Sequence, residues 1–137
     1  MTSQFKVSTD KSLLDVKLIH SFLSNDSYWA IGRSLKTVQI SIDNSLCFGV
    51  YSQNKQIGFA RLVTDYSVFA WIMDVFIVDE YRKLGLGKKL MDAIMNHDQL
   101  QGLQSWGLET ADAHGLDVQY GFKNIKTPEN FMELVSK

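Results

Sequence analysis

The sequence predicts an α+β fold, with a mixed sheet that begins as an antiparallel meander and ends in a parallel strand, and helices on both faces. Three observations lead there. Apolar runs at Leu46 to Tyr51, Gln56 to Val63 and Val68 to Val78 follow one another across short polar turns, and neighbours so joined pair antiparallel. An amphipathic stretch, Gly85 to His97, then separates the longest run from a short one at Ser105 to Glu109. A helix between two strands makes the parallel arrangement the economical one. The chain is 137 residues long and 45% apolar, enough for one domain with a sizeable core.

The elements follow in chain order. Phe5 and Val7 lie on one side of a short first strand within Met1–Asp10. Ser12 and Asp15 have the spacing of a capping box, and Leu14, Leu18 and Phe22, with Ile19 and Leu23, recur at helical spacing. These predict a helix over Leu13–Leu23, stopped by Asn25, Asp26 and Ser27. Tyr28 and Trp29 begin an aromatic linker that reaches Arg33. The two aromatics either pack helix against helix or wall a pocket, and Arg33 is either salt-bridged or a substrate contact. Leu35, Val38 and Ile42 give a second helix its apolar face. Ser52 to Lys55 form a hairpin turn, and Asp65 and Tyr66 turn the chain again. After the parallel strand come a short helix, His114 to Tyr120, and a closing strand, Phe131 to Val135.

Asp74 interrupts the apolar run Val68–Val78. A carboxylate inside such a strand must be hydrogen-bonded or lie at an opening. It either bonds to a loop or takes part in acceptor binding or proton removal. The run ends at a polar turn, and Arg82-Lys83-Leu84-Gly85-Leu86-Gly87-Lys88 lead into the amphipathic helix, whose buried face is Leu86, Leu90, Ala93 and Ile94. Unpaired N–H groups and the positive dipole end at a helix start attract anions, and glycine lets a phosphate approach the backbone. The alternative is a tight turn whose glycines serve packing alone.

The spacing Arg82-x-x-Gly85-x-Gly87 after a strand resembles the pyrophosphate-binding motif of the GCN5-related N-acetyltransferases. Asp112-Ala113-His114-Gly115-Leu116, followed by Tyr120-Gly121-Phe122, resembles the late helix and Gly-Phe turn of that family. The resemblance covers nearly the whole chain, most like small bacterial members of unassigned substrate. It implies acetyl-coenzyme A as co-substrate, with its phosphates on the backbone from Lys83 to Lys88. It implies a wedge where the long strand parts from its parallel neighbour, at Val75–Val78 against Trp106–Thr110, holding the pantetheine arm along Phe76, Ile77 and Val78. The N–H of Val75 or Phe76 would meet the thioester oxygen, and a bulge is expected near Asp74. The Tyr28–Trp29 region would roof the acceptor site.

Two departures fall where coenzyme A is handled. The family's acid is usually a tyrosine where this chain has Asp117, and Thr110 stands where asparagine is common. Some relatives place a glutamate base near the position of Trp71, which cannot act as one. Tyr120 either substitutes as the acid or packs against Phe122. His114, three residues from Asp117, either makes a local bond or assists at the acceptor side. The function expected is acetyl transfer to a primary amine, on a small molecule or peptide, by direct attack in a ternary complex. The alternative is an acyl-coenzyme A binding protein with weak or lost turnover.

Composition narrows the rest. A formal net charge of −1 offers no basic surplus for nucleic acid. The single cysteine, Cys47, excludes an internal disulfide and a multi-cysteine zinc site, and reads as an inert buried thiol. No metal is expected. Without a transmembrane-length apolar stretch or a signal segment, a cytoplasmic protein is the default. A homodimer is compatible with the family.

Overall fold

The computed structural model describes residues 4–110 and 114–136, with the side chains at 114 and 115 excepted. Five strands form one sheet in chain order: β1 (Phe5–Ser8), β2 (Leu46–Ser52), β3 (Lys55–Thr64), β4 (Phe69–Ile77) and β5 (Ser105–Leu108). The first four pair antiparallel, and β5 pairs parallel to β4. The predicted α+β meander with a parallel closing pair is the observed topology. Helices α1 (Val16–Ser21) and α2 (Leu35–Asp43) precede β2, while α3 (Leu86–Met95) joins β4 to β5 and α4 (His114–Gln119) follows β5.

Two apolar clusters lie on the two sides of the sheet. Leu86, Leu90, Met91 and Ile94 of α3 pack on Phe48, Leu62, Ala70 and Ile72. Ile19, Phe22, Leu23, Val38 and Ile42 pack on Cys47, Phe59 and Phe76. Burying Cys47 pushes its thiol up to about 11, as expected of an inert core cysteine.

The first helix differs from its expected course. Asp10 accepts the Ser12 N–H at 2.9 Å and caps a separate 3-10 turn, Lys11–Leu13. Asp15 itself caps α1, accepting the Leu18 N–H at 3.0 Å. Two competing carboxylates therefore divide what periodicity alone joins, and Ser12 is not the cap. Past Ser21 the chain widens into a π turn, Phe22–Asp26. In α2, capped by Ser34, Val38 and Ile42 are buried but Leu35 is exposed. A first-turn residue overhangs the packed surface, so the face is shorter than its period suggests. Helix α3 ends at Met95, two residues before His97. His97 instead starts the next turn, its Nδ1 accepting the Gln99 N–H. No strand forms over Phe131–Val135, where the side chains are exposed.

The bulge expected near Asp74 is present. Arg61 pairs with Met73 and Phe59 with Phe76, so Asp74 and Val75 stand opposite the single residue Ala60. Asp74 has φ +55°, left-handed backbone that a non-glycine residue adopts only under constraint. The bulge also switches the faces of β4. Ala70 and Ile72 face α3, whereas Phe76, an even number of residues on, stacks on Phe22 at 4.0 Å on the opposite side.

Three side chains hold Asp74 there. Its Oδ2 accepts from Arg33 Nη1 and Arg61 Nε, both at 2.9 Å, and its Oδ1 accepts from the Trp29 indole N–H at 2.9 Å. Arg61 also donates to Ser45 Oγ at 3.1 Å. The carboxylate is 1% exposed, so charge-assisted bonds here are worth more than at a surface. They tie β4, β3 and the segment before α2 into one unit. Asp74→Ala strands the Arg61 charge in the interior, and breaking a buried pair this way costs about 3–5 kcal/mol. Partial exposure of Arg33 puts the expected loss near ~3 kcal/mol. Urea unfolding of wild type and variant measures it, and a loss under about 1 kcal/mol would show that the cluster holds little.

Candidate active site

Pairing between β4 and β5 stops at Ile72–Leu108. Beyond it, Met73 to Ile77 run on with no β5 partner among the described residues. A cleft of about 490 Å³ opens at this fork. Its sides are Trp71 to Val75 on β4, Leu108 to Thr110 after β5, Gly87 and Met91 on α3, and Leu116 and Asp117 on α4, with Tyr28, Trp29 and Arg33 at one end. The expected wedge exists but begins earlier than placed. Trp106 pairs with Ala70 inside the zipped region, so Glu109 and Thr110 face the opening instead.

The residues expected to roof an acceptor site come together. Ser27 Oγ donates to the Leu23 carbonyl at 2.7 Å and accepts the Ala30 N–H at 3.0 Å, while the Gly32 N–H reaches Ser24 O at 3.0 Å with φ +78°. These bonds fix the linker that carries Tyr28, Trp29 and Arg33. The rings of Tyr28 and Trp29 meet edge to face at 4.9 Å. Asp74 is already engaged on both oxygens, which makes it the anchor for Trp29 and Arg33. Asp74 is thus hydrogen-bonded, and it also lines the cleft. Phe76 pairs with Phe59 of β3 and its side chain is buried in the α1–α2 cluster, while Val75 is exposed and lines the cleft.

The glycine turn is built as a concave run of backbone. Lys83 (φ +65°) and Gly85 (φ +79°) are both left-handed. Gly85 occupies the N-cap of α3 and no side chain caps it. The first intrahelical bond runs from Lys89 N–H to Gly85 O at 3.1 Å, so the N–H groups of Leu86, Gly87 and Lys88 precede the helical ladder. Successive N–H groups in such a turn form an anion-binding concavity. The side chains do less. Arg82 Nε donates to Ile77 O at 3.1 Å and pairs with Asp79 at 3.3 Å, pinning the turn to the end of β4. Lys88 Nζ lies 5.4 Å from the Tyr120 ring centre and 3.9 Å from Asp92. Leu84 is exposed, whereas Ile77 and Val78 pack into the core. Val78 N–H is bonded to Ile57 O at 2.9 Å, so that amide is already spent on β3.

Asp117 and Thr110 line the cleft, and Asp117 is buried. Tyr120 does not line it. Its hydroxyl donates to Asp92 and lies 3.1 Å from Lys88 O, one column round α3 from Gly87 and Met91. Burial, then the Asp92 bond, holds its phenol above the ordinary tyrosine value. Tyr120 thus packs as a strut between α3 and the Gly-Phe turn. His114 starts α4, but its side chain and the Asp112–Ala113 part of the motif lie outside the described residues.

Sequence reasoning missed part of the wall. A Cβ on Gly107 would sit 2.1 Å from Trp71 Cζ3, so the Trp71 ring lies flat over β5 and forms one side of the cleft. Gly107 alternating with Trp106 and Leu108 in a strand was the available signal, since a strand glycine often marks close approach. Glu109 also lines the cleft and is exposed. It is one residue past β5, where nothing in the pattern singled it out.

The chain matches the sequence model of the Acetyltransferase (GNAT) family over residues 16–117. A crystal structure from Xanthomonas campestris pv. campestris, of a protein belonging to the GNAT family, is 48% identical. It covers 96% of this chain and 93% of that one, with a TM-score of 0.94. The uncharacterized N-acetyltransferase ycf52 of Gracilaria tenuistipitata var. liui is 45% identical over 75 residues, 51% of this chain. A candidate acetyltransferase of Gibberella zeae, FG08082, is 29% identical over 121 residues, 74% of this chain. The chain spans 66% of the length of the Gibberella protein and 41% of that of the Gracilaria one. A Clostridium acetobutylicum protein solved with acetyl-CoA shares the fold at 13% identity and a TM-score of 0.67, covering 96% of this chain and 94% of that one. Members of the family use acetyl-CoA. Among the described residues no helix is long and apolar enough to cross a membrane. The chain is a member of the GNAT acetyltransferase family.

Proposed function

We propose that the chain transfers an acetyl group from acetyl-coenzyme A to a primary amine by direct attack within a ternary complex. The observation that carries this is the fork. Unzipped β4 backbone, an uncapped glycine turn and an aromatic-walled cleft lie side by side. The coenzyme's phosphates sit on the N–H groups of Leu86, Gly87 and Lys88, and the pantetheine arm extends along Val75 to Ile77. The amine enters past Tyr28, Trp29 and Trp71. Its lone pair attacks the thioester carbon. The oxyanion that forms is held by the N–H of Val75 or Phe76, the C–S bond breaks, and the thiolate departs as the C–N bond is completed.

The amine must also lose a proton. Asp74 is committed to its three donors, while Glu109 has no side-chain bond among the described residues and lines the cleft. Glu109 is the carboxylate placed to take that proton, directly or through water. Asp117 occupies the leaving-group side, where an ionised carboxylate opposes a departing thiolate. That feature supports the second reading, a coenzyme-binding protein with weak turnover. A broad amine screen separates the two, because repeated turnover of an acceptor at an enzyme's rate excludes the second.

Coenzyme binding is tested most cleanly at Gly87. A Cβ there would meet Leu116 Cδ2 at 3.4 Å, ordinary contact, so Gly87→Ala leaves the fold intact. It obstructs the phosphates and is expected to weaken acetyl-coenzyme A binding about ten-fold, about 1.4 kcal/mol, with an unchanged melting temperature. Titration calorimetry checks this, and unchanged affinity removes the phosphates from the turn. Chemistry is tested with an acceptor from the screen. Glu109→Gln is expected to lower kcat by roughly 100-fold or more with coenzyme affinity unchanged, in the range of lost acid–base catalysis. Asp117→Asn is expected to keep or raise kcat. Loss of transfer in Asp117→Asn, with binding intact, would make that carboxylate a proton carrier.

A further inference from the structure

Resting on the acetyl-transfer reading of the cleft, we infer that the acceptor is a primary amine that also carries a carboxylate, and that Arg33 holds that carboxylate. The observation behind it is a surplus of positive charge at one end of the cleft. Arg33 and Arg61 both donate to the same oxygen, Asp74 Oδ2, so one carboxylate answers two guanidinium groups. Arg61 is fully engaged, since its Nη1 donates to Ser45 Oγ at 3.1 Å and its Nη2 lies 3.5 Å from Met73 Sδ. Arg33 is not. Its Nη1 bonds Asp74, while its Nε and Nη2 have no hydrogen bond among the described residues. Those two nitrogens form one edge of the guanidinium, whose parallel N–H groups match both oxygens of a carboxylate.

The Arg33 side chain is 21% exposed and lines the cleft. On an open surface water would answer the surplus, but a charge so covered is costly without a counter-ion. That counter-ion belongs to the acceptor, because the coenzyme's phosphates go to the start of α3 at the other end. Glu109, which also lines the cleft, attracts the ammonium group. Tyr28, Trp29 and Trp71 line the same cleft, so the body that joins ammonium to carboxylate is apolar or aromatic. Arg33 is held by Asp74 before any acceptor arrives, and a donor fixed in advance lowers the ordering cost of binding. Transfer forms the C–N bond and breaks the C–S bond. Of the two protons the ammonium gives up, one ends on the coenzyme thiol and one in solvent. The carboxylate stays on Arg33 throughout.

Matched amines test the contact. Phenylalanine, leucine and para-aminomethylbenzoate are each compared with the corresponding carboxamide, which lacks the negative charge. In wild type the best carboxylate should exceed its amide in kcat/KM by roughly 10- to 100-fold, the range of a hydrogen-bonded charge pair. Arg33→Lys keeps a charge beside Asp74 but removes the fork. It should erase most of that preference, while the amide keeps its kcat/KM and acetyl-coenzyme A its affinity. The amide is thus the control for folding, and if the variant does not fold the wild-type comparison decides alone. Equal kcat/KM within every pair, or an Arg33→Lys chain that loses both members alike, overturns the contact and leaves acetyl transfer standing. Titration calorimetry of the same pairs into protein loaded with coenzyme A reads the contact without turnover. Carboxylates that bind better than their amides, and lose that advantage in Arg33→Lys, support the contact even where no amine is acetylated, and the acetyl-transfer reading alone then fails. No preference for the carboxylates in binding or in transfer overturns the contact.

Discussion

The Asp74 carboxylate is the constraint on which the site depends. A regular β4 would carry its side chains in strict alternation and offer β5 a continuous edge. One extra residue at Asp74–Val75 and a left-handed φ break that regularity. Such a conformation persists only when its surroundings over-determine it, and here two guanidinium groups and an indole do so. The same bonds hold Trp29 and Arg33 at the end of the cleft. One buried charge therefore sets the strand distortion and the position of Trp29 and Arg33 at the end of the cleft. The fold beneath is ordinary layered packing, in which α3 and the α1–α2 pair each cover one face of the sheet.

Much of this was legible in the chain. Short turns between apolar runs specified the meander, and a helix before Ser105 specified the parallel pair. The bulge was expected only from the family resemblance, where the long strand parts from its neighbour; the residues by themselves showed no more than a carboxylate oddly placed in an apolar run. Its partners were not legible. Arg61 sits in a run that reads as plain strand, and nothing local links it to residue 74. Face switching at the bulge was hidden too, since period-two counting assigns Phe76 to the side of Ile72. Helix ends went astray where carboxylates compete, as at Asp10 and Asp15. Tyr120 shows the limit of helical spacing: three residues from Asp117 is near in projection, yet its hydroxyl is tied to α3 outside the cleft.

Charge is distributed unevenly in the cleft. Anion-attracting groups, the free N–H groups at the start of α3, lie at one end. Arg33 lies at the other, its charge shared with Asp74 and Arg61. Carboxylates at Glu109 and Asp117 stand between. That order suits a cofactor whose negative charge is remote from its reacting carbon and an acceptor that arrives as a cation. Trp29 and Trp71 supply aromatic walls to the cleft. Gly107 is part of the same device, because only a glycine leaves room for the Trp71 ring across β5.

Under the proposed function, the Asp74 bulge keeps β4 open so that its backbone, and not β5, can receive the coenzyme. A crystal structure with acetyl-coenzyme A bound tests it most directly. The account predicts pantetheine amides hydrogen-bonded to the backbone between Val75 and Ile77, with Asp74 still held by Trp29, Arg33 and Arg61. Coenzyme bound elsewhere, or β5 zipped onto Val75–Ile77 with the bulge straightened, would contradict it.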